Sequence, residues 1–199
     1  MTYNKPNSRL DECIYVAEKV IPPDICDSIV KDIETREWEP HTWYNVKTDT
    51  SYSEETKELD VQNATSELHK VLGNYVIESG KIYHQNYSYQ FADQPERTGW
   101  FISSFNSIRF NRYAPGQIMR QHHDHIHDIF DGERKGIPVL SFILNFNDDY
   151  EGADLFFWED TIVKLGKGDI CMFPSNFLYP HGVTEATKGK RYSAVCWAW

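Results

Sequence analysis

The second half of the chain consists of short strand-like segments separated by turn residues, which is the pattern of an antiparallel β fold. Breakers such as Pro115-Gly116, Glu151-Gly152 and Lys188-Gly189-Lys190 divide this half into pieces too short for helices. About eight closely spaced strands in succession predict a sandwich or jelly roll. The predicted strands are 100–113, 117–125, 137–147, 153–158, 161–165, 168–174, 179–185 and 190–198.

The first half has a different pattern and is expected to support that sheet structure. A strand over 14–20 precedes Pro22-Pro23-Asp24, a helix-start signal, and Ile25, Ile29 and Ile33 then recur at helical spacing. The predicted helices are 24–37 and about 64–79. We expect one domain over 1–199, in which 1–99 is a helical and strand support region and 100–199 is a jelly roll. The helices should pack on its major sheet.

Two stretches of the chain lack clear periodicity. Residues 46–63 are rich in Ser, Thr, Asp and Glu, and we interpret them as a solvated loop in preference to a mobile lid. The aromatic residues of 83–101 would suit either a groove for an extended peptide or the core. Whether 46–63 or 83–98 covers a substrate is left open by the sequence.

The predicted strand 137–147 has two different faces. Leu140, Phe142, Leu144 and Phe146 alternate to form a wholly apolar face, which is suited to packing under helices. The opposite face, Ser141, Ile143, Asn145 and Asn147, is mixed and could line a polar pocket. In the last strand, Arg191, Ser193, Val195 and Trp197 share a face, where an arginine needs an anionic partner.

Composition excludes several classes of protein. Lys plus Arg number 20 against 30 for Asp plus Glu, and the net charge of -10 argues against a partner bound through phosphates. The four cysteines have no C-x-x-C spacing and indicate neither a zinc site nor a disulfide framework. The N-terminus lacks the apolar run of a signal peptide, and the apolar stretch 139–146 is too short to cross a bilayer. We therefore expect a cytoplasmic protein without membrane partners.

A candidate metal site combines His122, Asp124 and the distant His181. Residues at i and i+2 of a strand point the same way, so His122 and Asp124 can share one ion. A set of two histidines and one carboxylate suits non-haem Fe(II) with open coordination positions. The other histidines nearby, His123, His125 and His127, have the opposite parity and are interpreted as surface or loop residues.

The spacing around this site resembles that of a known family. Tyr-x-x-Gly-x-x-Met-x-x-His-x-Asp, from Tyr113 to Asp124, is followed by His181 and, ten residues later, Arg191. This pattern resembles the Fe(II)/2-oxoglutarate dioxygenases of the prolyl 4-hydroxylase type. The stretches FNRY and DDYEGADL resemble the bacterial and phage branch of that superfamily. The resemblance covers about 105–199.

The resemblance implies a fold and a role for each residue that matches the family pattern. The fold would be a double-stranded β-helix of the jelly-roll type. His122, Asp124 and His181 would bind Fe(II), Arg191 would pair with the C5 carboxylate of 2-oxoglutarate, and Ser193 would donate to the same carboxylate. The remaining co-substrate contacts would come from Tyr113 and Trp197. Where prolyl hydroxylases commonly place a Tyr, this chain has Asn145, which could donate one hydrogen bond instead.

The implied activity is hydroxylation of a C–H bond with Fe(II), 2-oxoglutarate and O₂, and with ascorbate as an optional reductant. The expected substrate is a prolyl residue in a protein or peptide. Three alternatives stay open: a small-molecule oxygenase, a nucleic-acid oxygenase, against which the charge counts, and a non-enzymatic metal-binding, sugar-binding or virion jelly roll. Arg191 counts against the last of these, because a binding module does not need that cation. The sequence does not predict an oligomeric state.

Overall fold

The computed structural model describes residues 10–45, 48, 50–52, 57–87, 102–124 and 138–199. A short 3₁₀ helix (Leu10–Cys13) comes first, and two α-helices follow in the first half, α1 (Pro23–Ile33) and α2 (Ser66–Tyr87). Pro23 occupies the first turn of α1, where its missing N–H leaves no hydrogen bond unmade. Both helices were predicted. The second runs eight residues beyond the predicted end at 79.

Fifteen short strands lie in the described part of the chain besides these helices. They are β1 (Tyr15–Ala17), β2 (Glu39–Pro40), β3 (Trp43–Asn45), β4 (Thr50–Tyr52), β5 (Asp60–Asn63), β6 (Arg109–Tyr113), β7 (Met119–His122), β8 (Leu140–Asn145), β9 (Glu151–Gly152), β10 (Leu155–Phe157), β11 (Thr161–Val163), β12 (Ile170–Pro174), β13 (His181–Val183), β14 (Ala186–Lys188) and β15 (Arg191–Ala198).

Two antiparallel sheets carry the architecture. The major sheet has the order β1-β12-β8-β15-β6-β5-β2, and the minor sheet has the order β11-β10-β13-β7. Non-consecutive neighbours in both sheets are typical of a jelly roll, in which the chain crosses between two facing sheets. The fold is therefore mainly β, with the helices on one face of the major sheet, as the sequence predicted.

Strand β8 lies inside the major sheet and divides its two faces. Leu140, Phe142 and Leu144 are buried in one cluster with α1 and α2 residues, including Ile29, Ile33, Leu72 and Val76. Ile143 faces the other way and belongs to a second buried cluster with Leu155, Phe157 and Phe173 of the minor-sheet side. The predicted alternation of this strand is confirmed, and it leaves Ser141 and Asn145 facing the minor sheet.

The interpretation of 46–63 as a solvated loop is wrong for its second part. Residues 60–63 form β5, which pairs with β6 in the major sheet, and Leu59 is completely buried. The polar side chains that suggested a loop include Asp60, which pairs with Arg112 at 2.9 Å. Residues 46, 47, 49 and 53–56 lie outside the described part of the chain, so a lid there is neither supported nor excluded.

The supposed support region also contributes to the sheet itself. Strands β1, β2 and β5 all come from the first 99 residues and pair in the major sheet. Of the aromatic residues considered for a peptide groove, Tyr83 and Tyr87 lie in α2, and the hydroxyl of Tyr83 donates to the Cys13 carbonyl at 2.9 Å. The others, at 89, 91, 100 and 101, lie outside the described residues. Among the described helices none is long and apolar enough to cross a membrane.

We predict that Phe142→Ala lowers the free energy of unfolding by about 3–5 kcal/mol, because it leaves a cavity between β8 and the helices. Denaturant unfolding followed by circular dichroism measures this. Phe177→Ala is the matched control, since Phe177 is 68% exposed and its loss should change stability by less than about 0.5 kcal/mol. Equal stability of the two variants would contradict the assignment of Phe142 to the core.

Candidate metal centre

The two histidines of the predicted site lie on adjacent strands of the minor sheet. β13 pairs with β7 so that His181 is directly opposite His122, and their ring centroids are 4.5 Å apart. Directly opposed residues on one face of an antiparallel pair bring their side chains together. The strand register therefore joins two residues that are 59 positions apart in sequence.

Asp124 completes the cluster from just beyond β7. Its Oδ1 lies 3.5 Å from Nε2 of His122, and its Oδ2 lies 3.6 Å from Nε2 of His181. One ligand atom from each of the three residues lies within 4.8 Å of the other two. The strand was expected to continue to 125, but β7 ends at His122, and Asp124 is nevertheless 7% exposed and directed inward.

Backbone carbonyls set the proton position on both imidazoles. Nδ1 of His122 lies 2.9 Å from the Arg120 carbonyl oxygen, and Nδ1 of His181 lies 3.0 Å from the Tyr179 carbonyl oxygen. A carbonyl oxygen only accepts, so Nδ1 must carry the proton and Nε2 keeps its lone pair. Both Nε2 atoms face Asp124, in the form required of metal ligands.

The Asp124 carboxylate is held by the major sheet. Ser141 of β8 donates its hydroxyl to Oδ2 at 2.6 Å, and a second short hydrogen bond of 2.6 Å joins Ser141 to Ser175. Burial alone would raise the pKa of Asp124, but His181, His122 and the Ser141 hydroxyl together lower it below its usual range. Burial lowers the pKa of His181 as well. Asp124 is thus an anion beside a neutral His181.

The neighbouring histidines behave differently from these three. His123 is exposed, as its parity predicted, whereas His125 and His127 lie outside the described residues. Aromatic rings pack around the buried ligand instead, and the ring centroids of Phe157 and Phe173 lie 5.7 and 4.7 Å from that of His181. The apolar packing limits the directions from which water reaches this side of the cluster.

Arg191 begins β15 and is 1% exposed. Its Nε donates to Asn145 Oδ1 at 2.9 Å and its Nη1 donates to the Ala153 carbonyl at 2.9 Å. The guanidinium also lies between the rings of Tyr113 and Tyr150, at 5.6 and 6.0 Å from their centroids. Within the described residues no carboxylate is within ion-pair distance of it. Such a buried cation requires an anion from elsewhere.

Asn145 was expected to donate a hydrogen bond to the co-substrate, but its side-chain amide bonds to other groups of the protein. Its amide nitrogen lies within hydrogen-bond distance of the carbonyls of Asn147, Leu165 and Gly166, at 2.7, 3.1 and 3.1 Å. Its oxygen accepts from Arg191, so both ends of the amide are used inside the protein. The geometry therefore makes Asn145 a residue that positions the Arg191 guanidinium, and leaves it no free N–H for a ligand.

A cavity extends from the three candidate ligands along the inner face of β6 and β15. Trp197 and Tyr113 both line it, and burial raises the pKa of Tyr113 to about 12, which keeps its phenol protonated. Arg191 and Ser193 are the register partners of Tyr113 and Asn111 at the end of this wall. The lining consists of Arg109, Asn111, Tyr113, Met119, His122, Asp124, Ser141, Phe142, Ile143, Leu155, His181, Gly182, Val183, Val195 and Trp197.

Sequence reasoning missed two groups of residues at this site. Arg109 and Asn111 share the cavity face with Tyr113, and the period of two in β6 could have revealed them. Trp43 lies with its ring centroid 5.5 Å from that of His122, and its Nε1 donates to Glu58 at 2.5 Å. No signal pointed to Trp43 or Glu58, because their segment is polar and its pairing is irregular.

The donor set fits an octahedral metal ion. Two imidazole nitrogens and one carboxylate on one side of a cavity leave positions open for further ligands, the arrangement typical of non-haem Fe(II). The carboxylate is ionised and His181 is neutral, so proton release would add little to the cost of binding. The hydrogen bonds to Nδ1 and to Asp124 orient the ligands in advance.

Comparison with known sequences associates the second half of the chain with one family. Residues 108–199 match the model of the 2OG-Fe(II) oxygenase superfamily. The chain is 34% identical over 97 residues to a PKHD-type hydroxylase of Caulobacter vibrioides, covering 46% of this chain and 42% of the relative. It is 30% identical over 111 residues to prolyl 4-hydroxylase 1 of Arabidopsis thaliana, covering 45% and 39%. The matches thus span about two fifths of each relative.

Solved structures share the fold over almost the whole chain. A Pseudomonas putida prolyl-4-hydroxylase has a TM-score of 0.62 at 17% identity, covering 94% of this chain and 91% of that one. A viral collagen prolyl hydroxylase from Paramecium bursaria Chlorella virus-1, in a 2OG complex, has a TM-score of 0.64 at 14% identity, covering 96% and 98%. The likeness includes the first half of the chain, which the family model does not match.

We predict that Asp124→Ala weakens Fe(II) or Mn(II) binding by more than about 100-fold, since even changes in the groups around ligands cost 10–100-fold. Anaerobic calorimetric titration measures the metal affinity. His123→Ala is the matched control, because it removes an exposed neighbouring imidazole. Metal affinity that survives Asp124→Ala would show that the three residues do not form the site.

Proposed function

We propose that the chain is a prolyl 4-hydroxylase-like 2OG-Fe(II) oxygenase, since residues 108–199 match that superfamily, and that it hydroxylates a C–H bond of a prolyl residue in a protein or peptide. The observation that carries the proposal is a buried cation next to the cavity of the candidate metal ligands, since the Arg191 guanidinium lies 5.6 Å from the ring centroid of Tyr113, which lines that cavity. The cluster of His122, Asp124 and His181 suits a metal, and Arg191 is a buried cation that lacks a carboxylate among the described residues.

Each residue has a distinct part in the proposed reaction. Fe(II), when bound with 2-oxoglutarate and O₂, supplies the oxidising chemistry, and succinate and CO₂ are released; ascorbate would be an optional reductant. His122, Asp124 and His181 would hold the ion, and three protein ligands would leave coordination positions open for further ligands. Arg191 pairs with the C5 carboxylate of 2-oxoglutarate, and Ser193 donates to the same group. Tyr113 donates from its protonated phenol, and Trp197 covers the cavity near the metal.

Asn145 contributes through Arg191. A guanidinium held by Asn145 and Ala153 cannot rotate away, so little entropy is lost when a carboxylate binds. The rings of Tyr113 and Tyr150 exclude water from this end of the site, which strengthens the ion pair. Asn145 is therefore proposed as a positioning residue and not as a co-substrate ligand.

The prolyl substrate is proposed from the named relatives. Prolyl hydroxylases are found both among the sequence relatives and among the structural neighbours, and one neighbour is in complex with a hypoxia inducible factor peptide fragment. A non-enzymatic jelly roll would have no use for a buried arginine placed ten residues after a metal-ligating histidine. The net charge of -10 disfavours a nucleic-acid substrate.

The proposal is tested by incubating the protein with Fe(II), 2-oxoglutarate and a panel of Pro-rich peptides, free amino acids and nucleotides. Mass spectrometry should find a 2-oxoglutarate-dependent gain of one oxygen on a prolyl residue, together with succinate. Oxygen gain on a free amino acid or nucleotide but on no peptide would favour the small-molecule or nucleic-acid alternative. No metal binding and no succinate would favour a binding protein.

We predict that Arg191→Ala raises the KM for 2-oxoglutarate by about two orders of magnitude or more, because it leaves a buried carboxylate unpaired at a cost of roughly 3–5 kcal/mol. Succinate formation at varied 2-oxoglutarate measures KM, and calorimetry should show Mn(II) affinity little changed. Lys190→Ala, at the preceding exposed position, is the matched control. A near-normal KM in Arg191→Ala would refute the co-substrate assignment.

A further inference from the structure

Arg109 is the first residue of β6 and lies on the wall of the candidate metal cavity. It pairs in register with Asn63 of β5 on one side and with Val195 of β15 on the other. Its guanidinium lies 5.8 Å from the ring centroid of Trp197, and the cavity also contains His122, Asp124 and His181. Arg109 is therefore a second arginine beside this site, separate from Arg191.

Arg109 is partly buried, and within the described chain its guanidinium lacks the acceptors that a cation in such a position normally has. Its Nε is buried without a hydrogen-bond acceptor, and no carboxylate of the described residues forms an ion pair with it. Burial lowers its pKa from the ordinary value for arginine, although Arg stays charged in any accessible pH range. Asp124 is near enough to offset part of this effect without contacting it. A charge that is partly removed from water and has no partner raises the free energy of the folded protein, unless a ligand of opposite charge binds to it.

Arg112, on the opposite face of the same strand, has the ion-pair partners that Arg109 lacks among the residues described. Its Nη2 lies 2.9 Å from Asp60 and its Nη1 lies 3.2 Å from Glu34. The two arginines are three residues apart, and only the one on the cavity side is left without an anion. The contrast indicates that the cavity itself is where the partner of Arg109 binds.

Asn111, two residues along the same face, adds a complementary group. It is 3% exposed, and its Oδ1 is buried with no hydrogen-bond donor among the described residues. On this wall, Nε of the charged Arg109 is a hydrogen-bond donor without a partner in the described structure, and Oδ1 of Asn111 is an acceptor without a partner there. A carboxylate matches the donor, and an N–H beside it matches the acceptor. A free α-amino acid, proline included, carries both groups, whereas a C-terminal prolyl residue carries only the carboxylate, because its amide nitrogen has no hydrogen.

The surroundings of Arg109 supply a route from outside. Arg109 also lines an open cleft on β2 and β5, whose other lining residues are Glu37, Glu39, His41, Thr42, Val61, Gln62 and Asn63. The carboxylates of this cleft, Glu37 and Glu39, would favour positive groups on the rest of a substrate. Arg109 is the residue that lines both this cleft and the candidate metal cavity.

We propose that Arg109 binds a carboxylate on the residue that is hydroxylated, so that the substrate is a free amino acid or the C-terminal residue of a peptide. Asn111 would accept a hydrogen bond from the ring nitrogen of free proline, which carries hydrogens, whereas the acylated nitrogen of a C-terminal prolyl residue makes no such bond. This inference rests on the proposed function and narrows its substrate class. Under this inference the two arginines have separate ligands. Arg109 of β6 binds the substrate, and Arg191 of β15 binds the co-substrate.

The test uses the whole protein loaded with Mn(II) and 2-oxoglutarate without O₂. N-acetylproline and N-acetylprolinamide are titrated by calorimetry, because they differ only in the carboxylate. The wild-type protein should prefer N-acetylproline by roughly 30-fold or more, the effect expected of a buried charge pair. Arg109→Gln should reduce the preference to less than about threefold, since the pair is lost. Arg112→Gln, with the same charge change on the opposite face, should keep the wild-type preference.

Three results would overturn the inference. The first is no preference in the wild-type protein, including the case in which neither probe binds. The second is a 2-oxoglutarate affinity that falls in Arg109→Gln as far as in Arg191→Ala, which would assign Arg109 to the co-substrate. The third is a melting temperature of ligand-free Arg109→Met well below wild type with the preference retained, which would make Arg109 structural. A bound-substrate role predicts a melting temperature that is unchanged or raised.

Additional probes distinguish a free amino acid from a peptide C-terminus as the source of the carboxylate. They also separate the role of Arg109 from the proposed hydroxylase function. Free proline that binds as well as N-acetylproline indicates an amino-acid substrate, whereas a preference for the acetylated form indicates a peptide C-terminus; either result supports the inference. Carboxylate-selective binding without oxygen gain in the presence of Fe(II) and O₂ would refute the proposed function alone. Hydroxylation of internal prolyl residues with no carboxylate preference would refute only the role of Arg109.

Discussion

Side chains alternate along β8 between the face that packs against the helices and the face that is turned to the minor sheet. Phe142 and Leu144 anchor the helices on one face, while Ser141 and Asn145 point to the opposite face. Ser141 orients the carboxylate of the candidate metal cluster, and Asn145 orients the Arg191 guanidinium. Because both polar side chains belong to a strand buried on both faces, their separation is fixed by the rigid backbone.

Arginine placement divides the major sheet into regions with different electrostatic tasks. Arg112 is neutralised by Asp60 and Glu34 and contributes to the surface of the fold. Arg191 is held by neutral oxygens, which orient it without cancelling its charge. Arg109 is neither neutralised nor held by hydrogen bonds among the described residues. An arginine paired with carboxylates, like Arg112, favours stability. An arginine that is to bind an anion must lack such carboxylates, as Arg191 and Arg109 do within the described part of the chain.

Much of the fold could be predicted because periodicity is a local property. The faces of 137–147 and the two helices were evident from apolar spacing alone. The position of β5 was not, because Asp60 and Gln62 look like loop residues until Arg112 and the helix-end carbonyls provide partners. Pairing of β5 with β6 is a long-range contact, and nothing in the segment itself specifies it.

The candidate site could likewise be predicted only in part: its candidate metal ligands follow from motif spacing, but the contacts around them do not. The three candidate ligands lie within 4.8 Å of one another, and the Arg191 guanidinium lies 5.6 Å from the ring centroid of Tyr113, which lines their cavity. The bonding of Asn145 could not be foreseen, because its partners Leu165 and Gly166 belong to a distant turn. Trp43 and Glu58 likewise reach the site through tertiary packing of a polar segment. Arg109 and Asn111 have the same parity as Tyr113 in β6, so the period of two along this strand is enough to place them on the cavity face.

The backbone hydrogen bonds to the two imidazoles have a consequence for how this centre can vary. In each case the acceptor is the carbonyl two residues earlier on the same chain, a group that no side-chain substitution can delete. The tautomer of each ligand is thereby insulated from changes in the surrounding residues. The wall formed by β6 and the cleft beyond it could accept new side chains for new substrates, while the atoms offered to the metal stay the same. Recognition and metal chemistry are therefore separable in this fold.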